Sequence, residues 1–238
     1  VGSSRQMQLL AAAAGVTASL RNNAFVGVSS WNVPGPTPDR GSASDMAINF
    51  LNNRVHGFPG FASVSAVYMG AMSSIRFTGN TIVDNQGESG VYICSSSSNV
   101  WLLDNIAWNN NGQDFRVYED CGDTDLGEAR FRANLYQSAQ LTPISDSGDN
   151  LVGSDPQFIK PGAGNYRIQT TSPAVNAGVV SSSSTSVDLD GNPRVVGSTV
   201  DMGAYESSVD ATVPQTRTVT STSDSGLGSL RRAILDAN

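Results

Sequence analysis

The residues of this sequence best suited to chemistry are carboxylates crowded into one short segment. They are Glu119, Asp120, Asp123, Asp125 and Glu128. Paired carboxylates at a suitable separation hydrolyse glycosidic bonds, and clustered carboxylates bind calcium. No acidic pair recurs at an equivalent position elsewhere in the chain, so we interpret the segment as a solvated loop.

A second acidic pattern alternates in the way that calcium ligands do. Asp188, Asp190 and Asn192 are separated by single residues. An EF-hand loop needs its glycine at the sixth position and a glutamate further on, whereas Gly191 comes too early. Calcium binding is therefore a minor alternative, and no cofactor is predicted.

Residues that could serve as catalytic bases are scarce. His56 is the only histidine, beside a glycine in a context typical of a turn, and Lys160 is the only lysine. General acid–base catalysis needs a positioned titratable group, and no such constellation is present, so we predict that the chain is not an enzyme. A polysaccharide lyase or glycoside hydrolase is the rival hypothesis. Trp101, Trp108 and Tyr118 could line a sugar-binding face, although packing in the core or its rim explains them equally well.

The strongest pattern is a recurring frame of an apolar residue, two spacers, an asparagine, one spacer and another mostly apolar residue. Its asparagines follow at intervals of 30, 27, 25 and 29 residues and are Asn23, Asn53, Asn80, Asn105 and Asn134. A unit of this length cannot bury its own core and must stack on its neighbours. Asparagine suits a corner because it tolerates left-handed backbone angles, and asparagines stacked about 4.8 Å apart could bond to one another. The alternative is an ordinary β-sandwich with coincidental asparagine turns.

Strands explain the repeats better than helices do. Residues 75–77 and 100–102 alternate with period two and are followed by turn residues. Residues 6–14 are rich in alanine, which favours a helix, but the β-branched run that follows makes a strand our preferred interpretation. Three prolines predict that residues 31–41 form an irregular excursion loop. The predicted fold class is all-β, a parallel β-helix or solenoid.

Charge and hydropathy exclude two kinds of partner. The net charge is −7 and the pI about 4.5, so no basic surface is available for nucleic acid. The longest apolar run covers residues 9–14, far shorter than the ~20 residues needed to span a membrane. The two cysteines, Cys94 and Cys121, are one repeat apart, and we predict a disulfide on adjacent rungs, which would fit an oxidising compartment.

Five ordered motifs in the carboxy-terminal third carry a specific resemblance. They are Asn150–Phe158, Asn165–Ile168, Ser172–Gly178, Asp188–Arg194 and Asp201–Glu206. Together they resemble the end of secreted bacterial right-handed parallel β-helix proteins of the choice-of-anchor Q type. The resemblance implies right-handed coils over residues 1–147, a segment at 148–206 that closes the carboxy end, and an extracellular or cell-surface location. Within that segment, we expect Arg194 to bond Asp188 or Asp201.

The last residues form a separate unit after a linker at 207–215. Residues 216–238 read as a strand, a turn and a short helix whose first turn follows Ser229. This tail is similar to the segment that usually opens the same class of β-helix proteins, although Arg232 departs from that pattern.

The tail suggests head-to-tail assembly. We expect it to dock on the amino-terminal coil of the next subunit, so that the protein is a structural subunit of an extracellular fibre. The expected contact residues are Val219, Leu227, Leu230, Arg231, Arg232 and Ile234 of the tail, with Leu9 and Leu10 of the coil. Alternatively, the chain is one unit of a longer polypeptide of tandem β-helices. A glycan-binding adhesin module that contacts surface glycans is a further alternative.

Overall fold

The computed structural model describes residues 6–8, 17–26, 30–33, 47–58, 67–69, 74–94, 99–118, 129–142, 144, 146–179, 185–207, 221–222 and 230–231. This part of the chain is all-β, with three sheets of parallel strands and one antiparallel pair. Helical structure within it is limited to a 3₁₀ turn at Pro161–Ala163 and to residues 230 and 231. The predicted all-β class is confirmed.

The three parallel sheets, here named A, B and C, are built in rotation. Each unit adds one strand to each sheet in turn, except that the last unit meets sheet B only through an isolated bridge between Phe131 and Asp146. Sheet A contains β1 (Gln6–Gln8), β4 (Ser30–Val33), β7 (Val67–Met69), β10 (Ser89–Cys94), β13 (Gln113–Tyr118) and β16 (Ala139–Thr142). Sheet B contains β2 (Thr17–Arg21), β5 (Ala47–Leu51), β8 (Ser74–Thr78), β11 (Asn99–Leu103) and β14 (Ala129–Arg132). Sheet C contains β3 (Ala24–Val26), β6 (Arg54–His56), β9 (Thr81–Val83), β12 (Ile106–Trp108), β15 (Leu135–Tyr136) and β17 (Leu151–Val152).

The register of the sheets matches the sequence frame. In sheet B, Phe50 pairs with Phe77 and Phe77 with Leu102, one repeat at a time. In sheet C, Val55 pairs with Ile82 in the same way. These five side chains are fully buried in the central core, and the rings of Phe50 and Phe77 stack with centroids 5.1 Å apart. The frame therefore marks the residues that line the core.

The left-handed corner position is not the one that the sequence suggested. The recurring asparagines have no positive φ; the residue before each of them has. These preceding residues are Asn22, Asn52, Gly79, Asp104, Ala133 and Asp149, with φ between 53° and 65°. Asn, Asp and Gly tolerate this conformation best, which leaves Ala133 as the exception.

The carboxy-terminal third contacts the side of the stack, and its closing of the carboxy end stays a prediction. Residues 155–179 and 185–207, here named the lateral segment, lie along the outer face of sheet C. The backbone N–H of Ala204 donates to Thr81 Oγ1 at 2.9 Å, and that of Gly203 donates to the carbonyl of Asp104 at 2.7 Å. The segment contains the antiparallel pair β18 (Phe158–Lys160) and β19 (Asn165–Ile168). Sheet C is thus covered on both faces, which is why all three residues of β9 are buried.

Of three local predictions, one agrees with the structure, one is wrong and one concerns a residue outside the described part of the chain. Residues 6–8 form a strand, as preferred over a helix, and residues 9–14 lie outside the described part. Residues 31–33 were expected in an irregular loop but belong to β4, because the prolines begin only at Pro34. Cys121 lies outside the described residues, so the disulfide with Cys94 stays a prediction.

Candidate functional site

The recurring asparagines form a continuous hydrogen-bonded ladder between sheets B and C. The side-chain oxygen of Asn80 accepts the backbone N–H of Asn53 at 2.8 Å, and its Nδ2 donates to the carbonyl of Phe50 at 2.8 Å. The same pattern links Asn23 with Asn53, Asn80 with Asn105, and Asn105 with Asn134. It continues to Asn150, which accepts from the backbone N–H of Asn134 at 2.7 Å. Asn150 was missed because it follows after only 16 residues.

A second, shorter ladder stands where sheet C turns back to sheet A. The side chain of Asn85 accepts the backbone N–H of Phe58 at 3.1 Å, and Asn110 accepts that of Asn85 at 3.3 Å. The ladder ends on the buried Asp114, which accepts from Asn110 Nδ2 at 2.8 Å. Burial raises the pKa of Asp114 against the lowering effect of these hydrogen bonds. Both ladders satisfy corner backbone groups, so their role is structural.

The two ends of the central core differ. At the amino end, Leu20 and Phe25 pack against the core but stay partly exposed. Their counterparts in the next three units are fully buried: Phe50, Phe77 and Leu102 in sheet B, and Val55, Ile82 and Ala107 in sheet C. At the carboxy end, Ile144 is 5% exposed and belongs to the core, and Phe131 is fully buried. Val152 of β17 remains 58% exposed.

Little of the predicted docking contact falls within the described residues. Leu230 and Arg231 are helical, and Leu230 is 60% exposed. Ser221 forms a single β-bridge. The other predicted contact residues lie outside the described part of the chain: Leu9, Leu10, Val219, Leu227, Arg232 and Ile234. The docking contact stays a prediction.

A buried charge cluster anchors the lateral segment. Arg194 is 4% exposed and donates to the carbonyls of Asp201 at 3.0 Å and Gly203 at 2.7 Å. Its guanidinium lies 2.7 Å from the carboxylate of Glu206. The sequence placed Arg194 against Asp188 or Asp201; it contacts Asp201, but through the backbone carbonyl. Asp201 itself caps the backbone N–H groups of Asn176 and Ser207.

Burial raises the pKa of one carboxyl group beneath the lateral segment and of two within it. It raises the pKa of Asp104 to about 7, although the N–H of Val179 donates to its Oδ1 at 2.7 Å. Burial also raises the pKa of Glu206 to about 8, against the lowering effect of Arg194. The pKa of Asp201 is raised for the same reason. We therefore expect attachment of the lateral segment to depend on pH.

The carboxylates of the calcium-like pattern, Asp188 and Asp190, bind donor groups of the lateral segment. Asp188 accepts the backbone N–H groups of Asp190, Asn192 and Glu206 at distances between 2.8 and 3.0 Å. Asp190 instead forms a two-pronged ion pair with Arg167, with N–O distances of 2.5 and 2.7 Å. Because these carboxylates are already occupied by protein donors, they suit a tight turn better than a cation. Across the described residues, no group of three or more His, Cys, Asp or Glu side chains is placed to hold a metal ion.

A pocket of about 380 Å³ lies where the β18–β19 hairpin meets sheet C. Its walls combine two aromatic side chains with carboxylates and carboxamides, and the lining residues are Asp84, Trp108, Asn109, Asp155, Gln157, Phe158, Pro161 and Gln169. Asp84 is held by Tyr166, whose hydroxyl donates to its Oδ2 at 2.5 Å, and by Asn109, whose Nδ2 donates to its Oδ1 at 2.5 Å. Burial and the bond to Asp84 strongly raise the pKa of Tyr166.

The other aromatic candidates lie apart from the pocket. Trp101, on the outer side of sheet B, stacks against Arg76 with the guanidinium carbon 4.4 Å from its ring centre. Tyr118, in sheet A, lies against Arg116 at 4.8 Å. They do not share one face with Trp108. His56 lies beside Tyr166, with ring centres 4.8 Å apart, and burial lowers its pKa. The acidic residues 119–128 lie outside the described part of the chain.

Comparisons with protein-family models, with curated proteins and with solved structures found no match. The resemblance to choice-of-anchor Q proteins therefore stays a prediction. Helices with the length and hydropathy that a membrane crossing demands are absent from the described residues.

Proposed function

We propose that the chain is a structural subunit of an extracellular or cell-surface fibre, in which parallel β-helices stack head to tail. In this proposal the three sheets wind as a closed right-handed β-helix, and residues 216–238 of one copy cover the amino-terminal coil of the next. The rotation of strands through sheets A, B and C supports the winding. Residues 216–238 resemble the segment that usually opens β-helix proteins. This resemblance supports the choice of the tail as the part that covers the amino-terminal coil.

The partly exposed Leu20 carries the proposal. Its counterparts in the following units are fully buried, so the first rung of the core presents apolar surface that the others hide. Burial of such surface stabilises an assembly by about 25 cal/mol per Å². The outermost strand of sheet B in the described structure is β2, next to this surface, and a tail strand that adds to an edge would extend the sheet.

The apolar side of the tail fits this surface. Leu230 is 60% exposed, and a short helix of this kind is marginal in water without a surface to cover it. The contact joins two different patches and does not close on itself, so repetition produces a filament rather than a ring.

The test compares two single substitutions in the full chain. Leu230→Asp removes the apolar contact at an exposed position, and we expect it to abolish filaments seen by electron microscopy and sedimentation. Val195→Asp is the matched control, because Val195 is 47% exposed but lies in the lateral segment. Filaments of equal length from the Leu230→Asp protein would contradict the proposal. Intact-mass measurement of the native material distinguishes separate subunits from tandem units of one polypeptide.

A further inference from the structure

The pocket under the β18–β19 hairpin is independent of the fibre contact and has the chemistry of a ligand site. Its volume of about 380 Å³ lies in the range of about 300–1,000 Å³ that is usual for small-molecule sites. It brings together residues that are far apart in the sequence, from sheet C and from the lateral segment. We propose that this pocket binds one ring of a neutral sugar.

The aromatic walls supply the apolar contact that a sugar ring needs. Trp108 packs against two buried clusters and is partly exposed, so its ring is held in place with one part open. Phe158 is fixed by Tyr166, with the rings edge to face and 5.4 Å apart. A pyranose has C–H groups on its ring faces and hydroxyl groups around its rim, and rigid aromatic side chains match the faces.

The polar walls match the rim. Each sugar hydroxyl both donates and accepts a hydrogen bond, so it needs acceptors and donors side by side. Asp84 and Asp155 supply carboxylate acceptors, and Asn109, Gln157 and Gln169 supply carboxamides. Asp84 is already oriented by two donors, Tyr166 and Asn109, and a carboxylate has about four acceptor sites in all.

Charge decides the class of sugar. The eight lining residues include two carboxylates and no lysine, arginine or histidine. A uronic acid or a sulfated sugar would place its own anion beside these carboxylates without a cation to offset it, which is unfavourable in a partly desolvated site. A simple amine would satisfy the carboxylates but would not engage the carboxamide donors of Gln157 and Gln169. A neutral sugar uses both.

Gln157 offers an unusually clean test, because it has a left-handed backbone with φ 52°. Gln157→Gly removes the carboxamide, which accepts from Thr171 Oγ1 at 2.7 Å, and relieves the backbone, so we expect the fold to be retained, and the melting temperature checks this. Gln169→Ala removes a second, exposed carboxamide. Gln169 is the residue whose backbone N–H donates to the carbonyl of Gln157. Gln140→Ala is the control, since Gln140 is an exposed glutamine in sheet A.

The experiment titrates the full chain with maltose, cellobiose, lactose and chitobiose, and with digalacturonate as the anionic counterpart, by calorimetry and tryptophan fluorescence. We expect saturable binding of at least one neutral disaccharide below about 10 mM, with digalacturonate at least about tenfold weaker. Gln157→Gly and Gln169→Ala should each weaken binding about fivefold, as loss of one hydrogen bond does, without a marked fall in melting temperature. Gln140→Ala should have no effect.

Three results would overturn the proposal. They are no response to any neutral disaccharide at this concentration, equal binding of digalacturonate, and binding that both glutamine variants leave intact. Filament formation by Leu230→Asp and wild-type protein is a separate readout, so failure of the sugar site and failure of the fibre proposal are distinguishable.

Discussion

At the scale of single residues, the ladder asparagines contribute through their position in the stack. Asn80 is fully buried, and both ends of its carboxamide are occupied by the groups of neighbouring units. Asn23, at the amino end, is partly exposed and donates to Arg21 and Asn53. An asparagine in the middle of the ladder should therefore contribute more to the free energy of unfolding than an asparagine at its end.

Replacing Asn80 by alanine should destabilise the fold severely. The carbonyl of Phe50 and the N–H of Asn53 would lose their partners in a buried corner, at a cost of roughly 2–5 kcal/mol. Asn23→Ala, the matched control, should cost about 1 kcal/mol or less. Urea unfolding of both variants measures the difference. Equal losses would show that ladder position does not matter.

A second residue-scale prediction concerns the buried Asp104. Its folded-state pKa of about 7 lies above the ordinary value of 3.8. Between these pH values the folded protein binds more protons than the unfolded chain, so this group makes stability fall as pH rises from about 4 to about 7. Asp104→Asn, which keeps an acceptor for Val179 and suits the left-handed backbone, should add about 2–4 kcal/mol at pH 8 and little at pH 4.

Asp149→Asn controls for the substitution itself. Asp149 occupies the equivalent corner with φ 59° but is exposed and pairs with Arg132. Unfolding is measured at several pH values. The free energy of unfolding should depend less on pH in Asp104→Asn and should keep its pH dependence in Asp149→Asn. An unchanged pH slope in that variant would show that Asp104 does not control the attachment of the lateral segment.

At the scale of elements, sheet C depends on the lateral segment for its outer cover. Gly203 lies close to sheet C, with φ 94°, and an added Cβ would come within 2.8 Å of Ile106 and 2.9 Å of Thr81. Close backbone approach of this kind requires glycine. The strands of sheet C have two or three residues each, so they rely on this packing more than on their own ladders.

Gly203→Ala should loosen the lateral segment. It combines a strained backbone angle with overlap against sheet C, for a loss of roughly 2–4 kcal/mol. Gly191→Ala separates the two effects, because Gly191 has φ 87° with nothing within 4 Å of the added Cβ. Hydrogen exchange of residues 155–207 should rise strongly in the first variant and only locally in the second. Similar exchange in both would argue that overlap is unimportant.

The elements also show how far sequence reasoning reaches. Sheet B follows from the frame, because its strands have five or four residues with clear alternation, as in Ile75 and Phe77. Sheet C was not foreseen, since segments such as Leu135–Tyr136 are too short for a period to be visible. The pocket was not foreseen either, because Trp108 and Gln157 meet only when the lateral segment returns along sheet C.

At the scale of the whole molecule, the fibre proposal predicts that each subunit has one donor end and one acceptor end. Leu230→Asp impairs the donor, and Leu20→Asp impairs the acceptor. Each variant alone should remain monomeric, whereas an equimolar mixture should form pairs and nothing longer. Analytical ultracentrifugation measures this. Filaments in the mixture, or no pairs, would contradict a contact between these two surfaces, and circular dichroism checks that Leu20→Asp remains folded.

The path of the lateral segment has a mechanical consequence. It is fastened to three successive units, with Asn52 donating to the carbonyl of Val187, Thr81 accepting from Ala204, and Asp104 accepting from Gly203. A solenoid held only by contacts between neighbours can peel apart one coil at a time under tension. Here the lateral segment bridges three units, so separating any two of them also strains the bonds between the segment and the third. We therefore expect pulling along the stack to rupture this region in one event at higher force, as the proposed fibre would require.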